Sequence, residues 1–376
     1  MSTMNDPIPQ DVNWAACAVP QCEGLHPYVP GKPVEKLLRE KGIERAVKLA
    51  SNENPYGPSP KAIEAMRRAA QDVHRYPDAD CAILKQALAE RHGVAVHNIL
   101  PGNGSNEVLE LLIRTFAGAG DEVVYSERGF IVYALAAQAA GAKGIAVPES
   151  DGLAHDLDAM AEAVTSRTKV VCVANPNNPT GTLHRTGEIQ NFLDRLPRDV
   201  IVIMDEAYYE YVADELGDSV KRLRHPGLAI CRTFSKAYGL AGCRVGYAVA
   251  DQAIVALVNR FREPFNVNLL AQAGALAAID DGDWVVEKVA ASSGERARLE
   301  GELASLRVLG GESYGNFVLL QDRDASGILR GLEDRGIIPR PLTPYGMPEY
   351  LRITVGTPEE NNALLTTLRD VLRTLS

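Results

Sequence analysis

Val200-Ile-Val-Ile-Met-Asp205-Glu-Ala-Tyr208 is a run of five apolar residues that stops on a carboxylate. A short run with no polar alternation fits a strand buried on both faces, and such strands belong to parallel sheets covered by helices on either side. The same signature recurs outward from it, at residues 169–174, 144–147 and 122–125 before it and at 228–233 and 244–250 after it. Between these runs lie stretches with helical spacing of apolar residues, at 105–117, 130–140, 156–164 and 188–195. The alternation predicts an α/β fold: a large domain with a mostly parallel sheet flanked by helices, plus a smaller α/β C-terminal domain.

The smaller unit starts near Gly315, with strands at 317–320 and 350–355 and a closing helix at 358–375. Two or three long helices between about Val267 and Leu306 precede it. Ser59-Pro60 opens a helix to about Gln71, with serine as cap and proline at the first helical position. The proline-rich stretch 20–33 reads as an irregular arm. The expected division is an N-terminal arm over 1–50 that packs with the small domain and a partner subunit, a large domain over 51–285 and a small one over 286–376.

Composition narrows the function. The chain has 376 residues, 46% hydrophobic and 23% charged, and its 49 acidic residues against 39 basic ones leave a net charge of −10. That balance is globular, and it repels phosphate backbones unless a basic patch offsets it; no such run exists, which argues against general nucleic-acid binding. The six cysteines (Cys17, Cys22, Cys81, Cys172, Cys231, Cys243) stand singly and read as reduced, mostly buried thiols. His92 and His97 do not share a helix face, so they read as surface histidines and no metal is expected. Asn5, Asp6 and Asp11 occupy the place where a signal peptide would need an apolar core, and residues 131–142 are too few to span a bilayer. A soluble cytoplasmic protein is expected.

Five stretches carry chemistry. Asp205, at a strand end, either caps the following helix or serves as a charged partner in the crevice where doubly wound sheets bind ligands, facing a cationic ring nitrogen or a magnesium ion. Arg232-Thr-Phe-Ser235-Lys236-Ala-Tyr-Gly239-Leu-Ala-Gly242-Cys-Arg244 combines a lysine with two hydroxyls, glycines and a cation. Such a lysine is either solvated or, once desolvated, a nucleophile beside a phosphate held by Thr233, Ser235 and Arg244. Gly102-Asn-Gly104-Ser105-Asn106-Glu107 leads into a helix with Ser105 as the expected N-cap; it offers an anion site or an ordinary cap. Glu107 stands where a dinucleotide fingerprint needs its third glycine, and the preceding strand, at best 98–100, is short, which weakens a nicotinamide reading. Asn175-Pro-Asn-Asn178-Pro-Thr-Gly181 is an elaborate turn or a rigid loop aiming an amide at a ligand, and a cis peptide before Pro179 would suit it. Arg352 lies inside an apolar strand, where an unpaired guanidinium is costly; it meets either an anion in a cleft or a structural partner, with Arg340 nearby.

Together these are the requirements of pyridoxal phosphate chemistry: a lysine to form an imine, an acid beside the pyridinium nitrogen and donors for a phosphate. In their order along the chain, the segment Lys48-Leu-Ala-Ser-Asn52-Glu53-Asn54-Pro-Tyr56-Gly-Pro, the motifs NPNNPTG (175–181), DEAYYEY (205–211), RTFSKAYGLAGCRVGY (232–247) and YLRITVGT (350–357), and the eight-residue step from Lys236 to Arg244 resemble the class I/II pyridoxal-phosphate-dependent aminotransferases of fold type I. The likeness runs from about Leu25 to the C-terminus, and within the family it is strongest to the branch acting on histidinol phosphate. The resemblance implies pyridoxal 5'-phosphate as cofactor, with Lys236 joined to its aldehyde and Asp205 at its ring nitrogen. It further implies Asn178 and Tyr208 at the ring oxygen and Phe130 stacked on the ring. Gly104, Ser105, Asn106, Thr233, Ser235 and Arg244 would hold the phosphate. Tyr56 would reach the neighbouring subunit's site in a homodimer. The implied small-molecule substrates are L-histidinol phosphate and 2-oxoglutarate or glutamate, taken in turn by Arg340, Arg352 and Tyr28, with Asn178 close by. An aromatic-amino-acid aminotransferase, a phosphoamino-acid decarboxylase and a non-enzymatic relative of the same fold are the rival readings.

Overall fold

The protein is described by a computed structural model over residues 13–25, 31–150 and 152–375. In these residues the strands are β1 (Val47–Lys48), β2 (Ile99–Gly102), β3 (Glu122–Ser126), β4 (Lys143–Val147), β5 (Thr168–Ala174), β6 (Ile201–Asp205), β7 (Leu228–Thr233), β8 (Gly246–Ala250), β9 (Phe317–Gln321), β10 (Ile337–Ile338), β11 (Arg340–Pro341) and β12 (Tyr350–Thr354). Seven of them form one sheet in the order β2-β8-β7-β6-β5-β3-β4. Every pairing from β7 through β4 is parallel; β8 runs antiparallel to both β7 and β2. The mostly parallel α/β sheet expected from the sequence is present.

Alternation along each strand divides two cores. On β5 and β6, Val170, Cys172, Ala174, Ile201 and Ile203 face one side, where helices Ser105–Phe116, Val132–Ala139 and Gln252–Val258 pack. Val171, Val173, Val202 and Met204 face the other, covered by Leu157–Glu162 and Thr186–Arg195. Because side chains alternate, Asp205 follows Ile201 and Ile203 to the first side. The three-stranded antiparallel sheet β11-β12-β9 packs its own core with helices Ala325–Glu333 and Pro358–Leu375. Helix Gly282–Ser305 leads from one region toward the other, and the parallel pair β1–β10 ties the segment before Ser51 to the small sheet's side.

Several expectations change in detail. Two helices, Leu269–Ile279 and Gly282–Ser305, fill the region after Val267, within the two or three expected. Gly104, not Ser105, is the N-cap of its helix: φ is +84° there, and Ser105 is the first helical residue. The strand before it is longer than expected and runs Ile99–Gly102. His92 is buried at 3% exposure rather than on the surface, its Nε2 2.9 Å from the Tyr247 hydroxyl. Cys81, Cys172 and Cys231 are buried, Cys243 is half-buried, and Cys17 and Cys22 are exposed; all six are free thiols. Ser59 caps helix Pro60–Ala69 as expected, accepting from the Ala62 N–H at 3.2 Å. No helix among the described residues is long and apolar enough to cross a membrane.

Candidate active site

The cleft of about 210 Å³ lies at the carboxyl ends of the parallel strands, where doubly wound sheets present their ligand crevice. Ala174 ends β5, Asp205 ends β6 and Thr233 ends β7, and each lines it. The turns that follow add Pro176, Asn178, Ala207, Tyr208, Ser235 and Lys236. Phe130 comes from the segment after β3, Ser105 and Asn106 from the helix after β2, and Arg244 from the residues before β8. Ten of the residues anticipated from sequence therefore meet in one cleft: Ser105, Asn106, Phe130, Asn178, Asp205, Tyr208, Thr233, Ser235, Lys236 and Arg244.

Glycines bring Ser105 and Arg244 together at one part of this cleft. Gly102 pairs with Gly246 across β2 and β8, and a Cβ on Gly246 would run into the Ser105 backbone N–H. A Cβ on Gly104 would strike the Arg244 guanidinium. The first turn of helix Ser105–Phe116 is thus brought against Arg244, whose own backbone is left-handed at φ +59°. Arg244 donates to Ser235 Oγ at 3.3 Å and to the Ala241 carbonyl at 3.1 Å. Free helix N–H groups, hydroxyls and a guanidinium converge there, which is the donor set of a phosphate site.

At the other end sit an acid and a base. Asp205 is 4% exposed; its carboxylate accepts from the Tyr133 hydroxyl at 2.8 Å and the Ala207 N–H at 3.2 Å. Burial pushes its pKa up to about 6, against the lowering effect of those two bonds. Lys236 donates to the Ser51 carbonyl at 3.1 Å. Burial pushes its ammonium down to about 7, aided by the nearby charges of Arg352 and Arg244 and opposed by Glu53 and Asp205. A lysine neutral for much of the time near pH 7 is a competent nucleophile and base. Tyr208 is buried, and burial pushes its hydroxyl up to about 12, so it remains protonated as a donor.

Not every anticipated residue lines the cleft. Arg352, on β12, bonds the Asn178 side-chain oxygen and, at 2.9 Å, the Ala50 carbonyl, so it borders the site through Asn178. Arg340 lies opposite it in register on β11 and is buried. Tyr56 is half-buried and is not among the residues lining this cleft, with the Lys288 ammonium 5.6 Å from its ring centre. Gly104 stands behind Arg244, and Tyr28 lies outside the described residues. The peptides before Pro176 and Pro179 are both cis. Sequence reasoning missed Tyr133, Ser51 and Asn52, whose bonds to Asp205, Lys236 and Tyr208 only the fold creates.

Comparison with known proteins agrees with this geometry. Residues 44–368 match the family model described as aminotransferase class I and II. The chain is 47% identical over 365 residues to histidinol-phosphate aminotransferase 2 of Pseudomonas aeruginosa, covering 96% of this chain and 99% of the relative. It is 48% identical to histidinol-phosphate aminotransferase 2 of Methylococcus capsulatus, covering 94% and 98%. Among solved structures it is similar to histidinol-phosphate aminotransferase from Sinorhizobium meliloti in complex with pyridoxal-5'-phosphate, with a TM-score of 0.87, 30% identity and coverage of 96% and 98%.

Proposed function

The chain belongs to the aminotransferase class I and II family, and from that premise we propose its reaction and the residues that perform it. The reaction is amino-group exchange between L-histidinol phosphate and 2-oxoglutarate, giving imidazole acetol phosphate and L-glutamate, a step of L-histidine biosynthesis. The names of the relatives support the first substrate, and the bound pyridoxal-5'-phosphate in the similar structure supports the cofactor. The observation that carries the reading is one cleft lined by a downshifted lysine, a buried acid, and the hydroxyl and guanidinium donors Thr233, Ser235 and Arg244.

The residues present fit that cofactor. The glycine-lined cradle of Ser105, Asn106, Thr233, Ser235 and Arg244, with Gly104 behind it, would hold the phosphate. Asp205 would face the ring nitrogen, Asn178 and Tyr208 the ring oxygen, Phe130 the ring face, and Lys236 the aldehyde. When bound, pyridoxal phosphate supplies an aldehyde that takes up the amino group and a cationic ring that withdraws electrons from the adjacent carbon. Asp205, held in place by Tyr133 and Ala207, keeps positive charge on the ring side favourable. Lys236, once its Nζ is free, removes a proton at one carbon and returns it at another, a task suited to a pKa near working pH. Arg352, with Arg340 and Tyr28, would bind the substrate's phosphate in one half-reaction and a carboxylate in the other.

The wider organisation belongs to the same proposal. Residues 1–50 form an arm, 51–285 the cofactor domain and 286–376 the small domain. Two chains pair in the cytoplasm so that Tyr56 reaches the neighbouring site, which suits its absence from the lining of its own cleft. The deciding assay supplies cofactor-loaded protein with histidinol phosphate, phenylalanine or tyrosine and 2-oxoglutarate as acceptor. Histidinol phosphate should give the highest kcat/KM. Aromatic acids winning by orders of magnitude would reassign the substrate, and release of carbon dioxide would reassign the reaction.

A further inference from the structure

We propose that Asn52 is a positioning residue that aims the hydroxyl proton of Tyr208 into the cleft, and that Thr354 of the small sheet and Asn316, the residue before β9, hold it there. The inference rests on the reading above, in which Tyr208 donates to the cofactor's ring oxygen.

Asn52 is 1% exposed and sits in the left-handed region at φ +53°, a conformation that asparagine tolerates better than most side chains. Its bonds define a direction. The Asn52 N–H donates to Thr354 Oγ1 at 2.9 Å, and the Thr354 hydroxyl donates onward to the Asn52 side-chain oxygen at 3.2 Å. That leaves the amide nitrogen to face Tyr208, and it donates to the Tyr208 hydroxyl at 2.8 Å. A tyrosine oxygen that accepts on this side must send its own proton elsewhere, and Tyr208 lines the cleft. Asn316 donates to the Asn52 carbonyl at 3.0 Å and ties the same backbone at a second point. Thr354 ends β12, two residues after Arg352, so the strand that carries the anion-binding guanidinium also carries the anchor of this relay. The placement of the small sheet is thereby read out at a hydroxyl in the turn that follows β6.

The test uses pyridoxal 5'-phosphate-loaded protein and reads the pH midpoint of its visible absorption, with thermal unfolding recorded alongside. A bond donated to the ring oxygen stabilises negative charge there and keeps that midpoint low. Tyr208→Phe should therefore raise it by about one pH unit, the size expected for a hydrogen bond to a charged group. Asn52→Asp keeps the size and backbone tolerance but turns the donor into an acceptor, drawing the Tyr208 proton toward itself; the midpoint should rise about as far as in Tyr208→Phe. Asn52→Gly keeps the left-handed backbone and removes the amide, leaving the hydroxyl free to turn to the cleft, so the midpoint should move less. A merely structural role reverses this order, because the glycine variant loses more contacts than the aspartate variant, and that order would overturn the proposal. In the Tyr208→Phe background Asn52→Asp should add nothing; a shift persisting there would mean that the new charge acts directly, and would also overturn it. A midpoint that moves in Tyr208→Phe but not in Asn52→Asp removes the role of Asn52 alone. A midpoint unmoved by Tyr208→Phe removes the placement of Tyr208 as well.

Discussion

Asp205 and Glu206 are neighbours in sequence and both are buried, yet the fold puts them to opposite uses. Glu206 is closed into a triangle: Arg232 Nε donates to its Oε2 at 2.9 Å, Ser219 Oγ donates to the same oxygen at 2.8 Å, and Arg232 Nη2 donates to Ser219 at 3.0 Å. The Arg232 guanidinium also lies 3.4 Å from the centre of the Tyr209 ring. Asp205 opens on the cleft and takes its hydrogen bonds from the neutral donors Tyr133 and Ala207. A buried charge that the protein completes is architecture, whereas one stabilised only by neutral donors retains the capacity to hold an incoming cation.

The sharpest way to break this contrast is at Lys236, which lines the same cleft as Asp205. Lys236→Ala should abolish transamination while leaving the thermal unfolding of the protein cooperative; amino transfer at wild-type rates would show that the cleft is not where the chemistry happens. Asp205→Asn should cost about 10³-fold in kcat, the scale of losing one preorganised electrostatic partner, and much less in cofactor retention measured by dialysis. Equal losses in both would make Asp205 a structural group like its neighbour. Arg232→Leu tests the other side: it leaves Glu206 buried and unpaired, which should lower stability by about 3–5 kcal/mol in denaturant titration, with turnover per folded molecule changed only a few-fold. A collapse of kcat in that variant would enlarge the site to include the triangle.

The smallest effect concerns pH. The lowered pKa of Lys236 means that the unfolded chain binds more protons than the folded one between about 7 and the ordinary 10.5. In protein freed of cofactor this lysine therefore weakens the fold most below pH 7, and the penalty fades as pH rises toward 10.5. Lys236→Met should unfold at a higher temperature than the parent at pH 6 and converge with it near pH 10. Covalent capture of pyridoxal 5'-phosphate by the wild-type apoprotein, followed by absorbance, should accelerate with pH around a midpoint near 7. A midpoint near 10 would mean that Lys236 is as solvated as any surface lysine.

Much of this was legible beforehand because short, wholly apolar strands and their terminal polar residues lie close together in sequence. The runs around Asp205 and Lys236 gave both the sheet and the rim of the cleft. What escaped depended on contacts between distant segments. Tyr133 looks like one more apolar-face residue of its helix until the fold brings its hydroxyl to Asp205, 72 positions away. Asn52 meets Tyr208 across 156 positions, and β1 and β10 are pairs of residues too short to carry any periodic pattern. Helix Ala82–His92 buries Leu84, Lys85, Leu88, Ala89 and His92 together, a mixture of polar and apolar positions that blurs the expected stripe. Ser105 and Gly104 are both reasonable caps, and only the positive φ of Gly104 decides between them.

The reversal of β8 has an economy of its own. Thr233 at the end of β7 stands opposite Gly246 at the start of β8, so the chain leaves and re-enters the sheet at the same edge, and residues 234–245 form one excursion above it. Lys236 and Arg244 ride on that single loop. Had β8 joined in the same direction as β7, the chain would have had to travel back beneath the sheet, and Arg244 would emerge roughly 17 Å away at the opposite margin, the length of a five-residue strand. Under the proposed reaction, nucleophile and anion holder thus belong to one loop whose two ends are fixed by the same strand pair, so a single inserted residue there would shift Lys236 and Arg244 relative to each other.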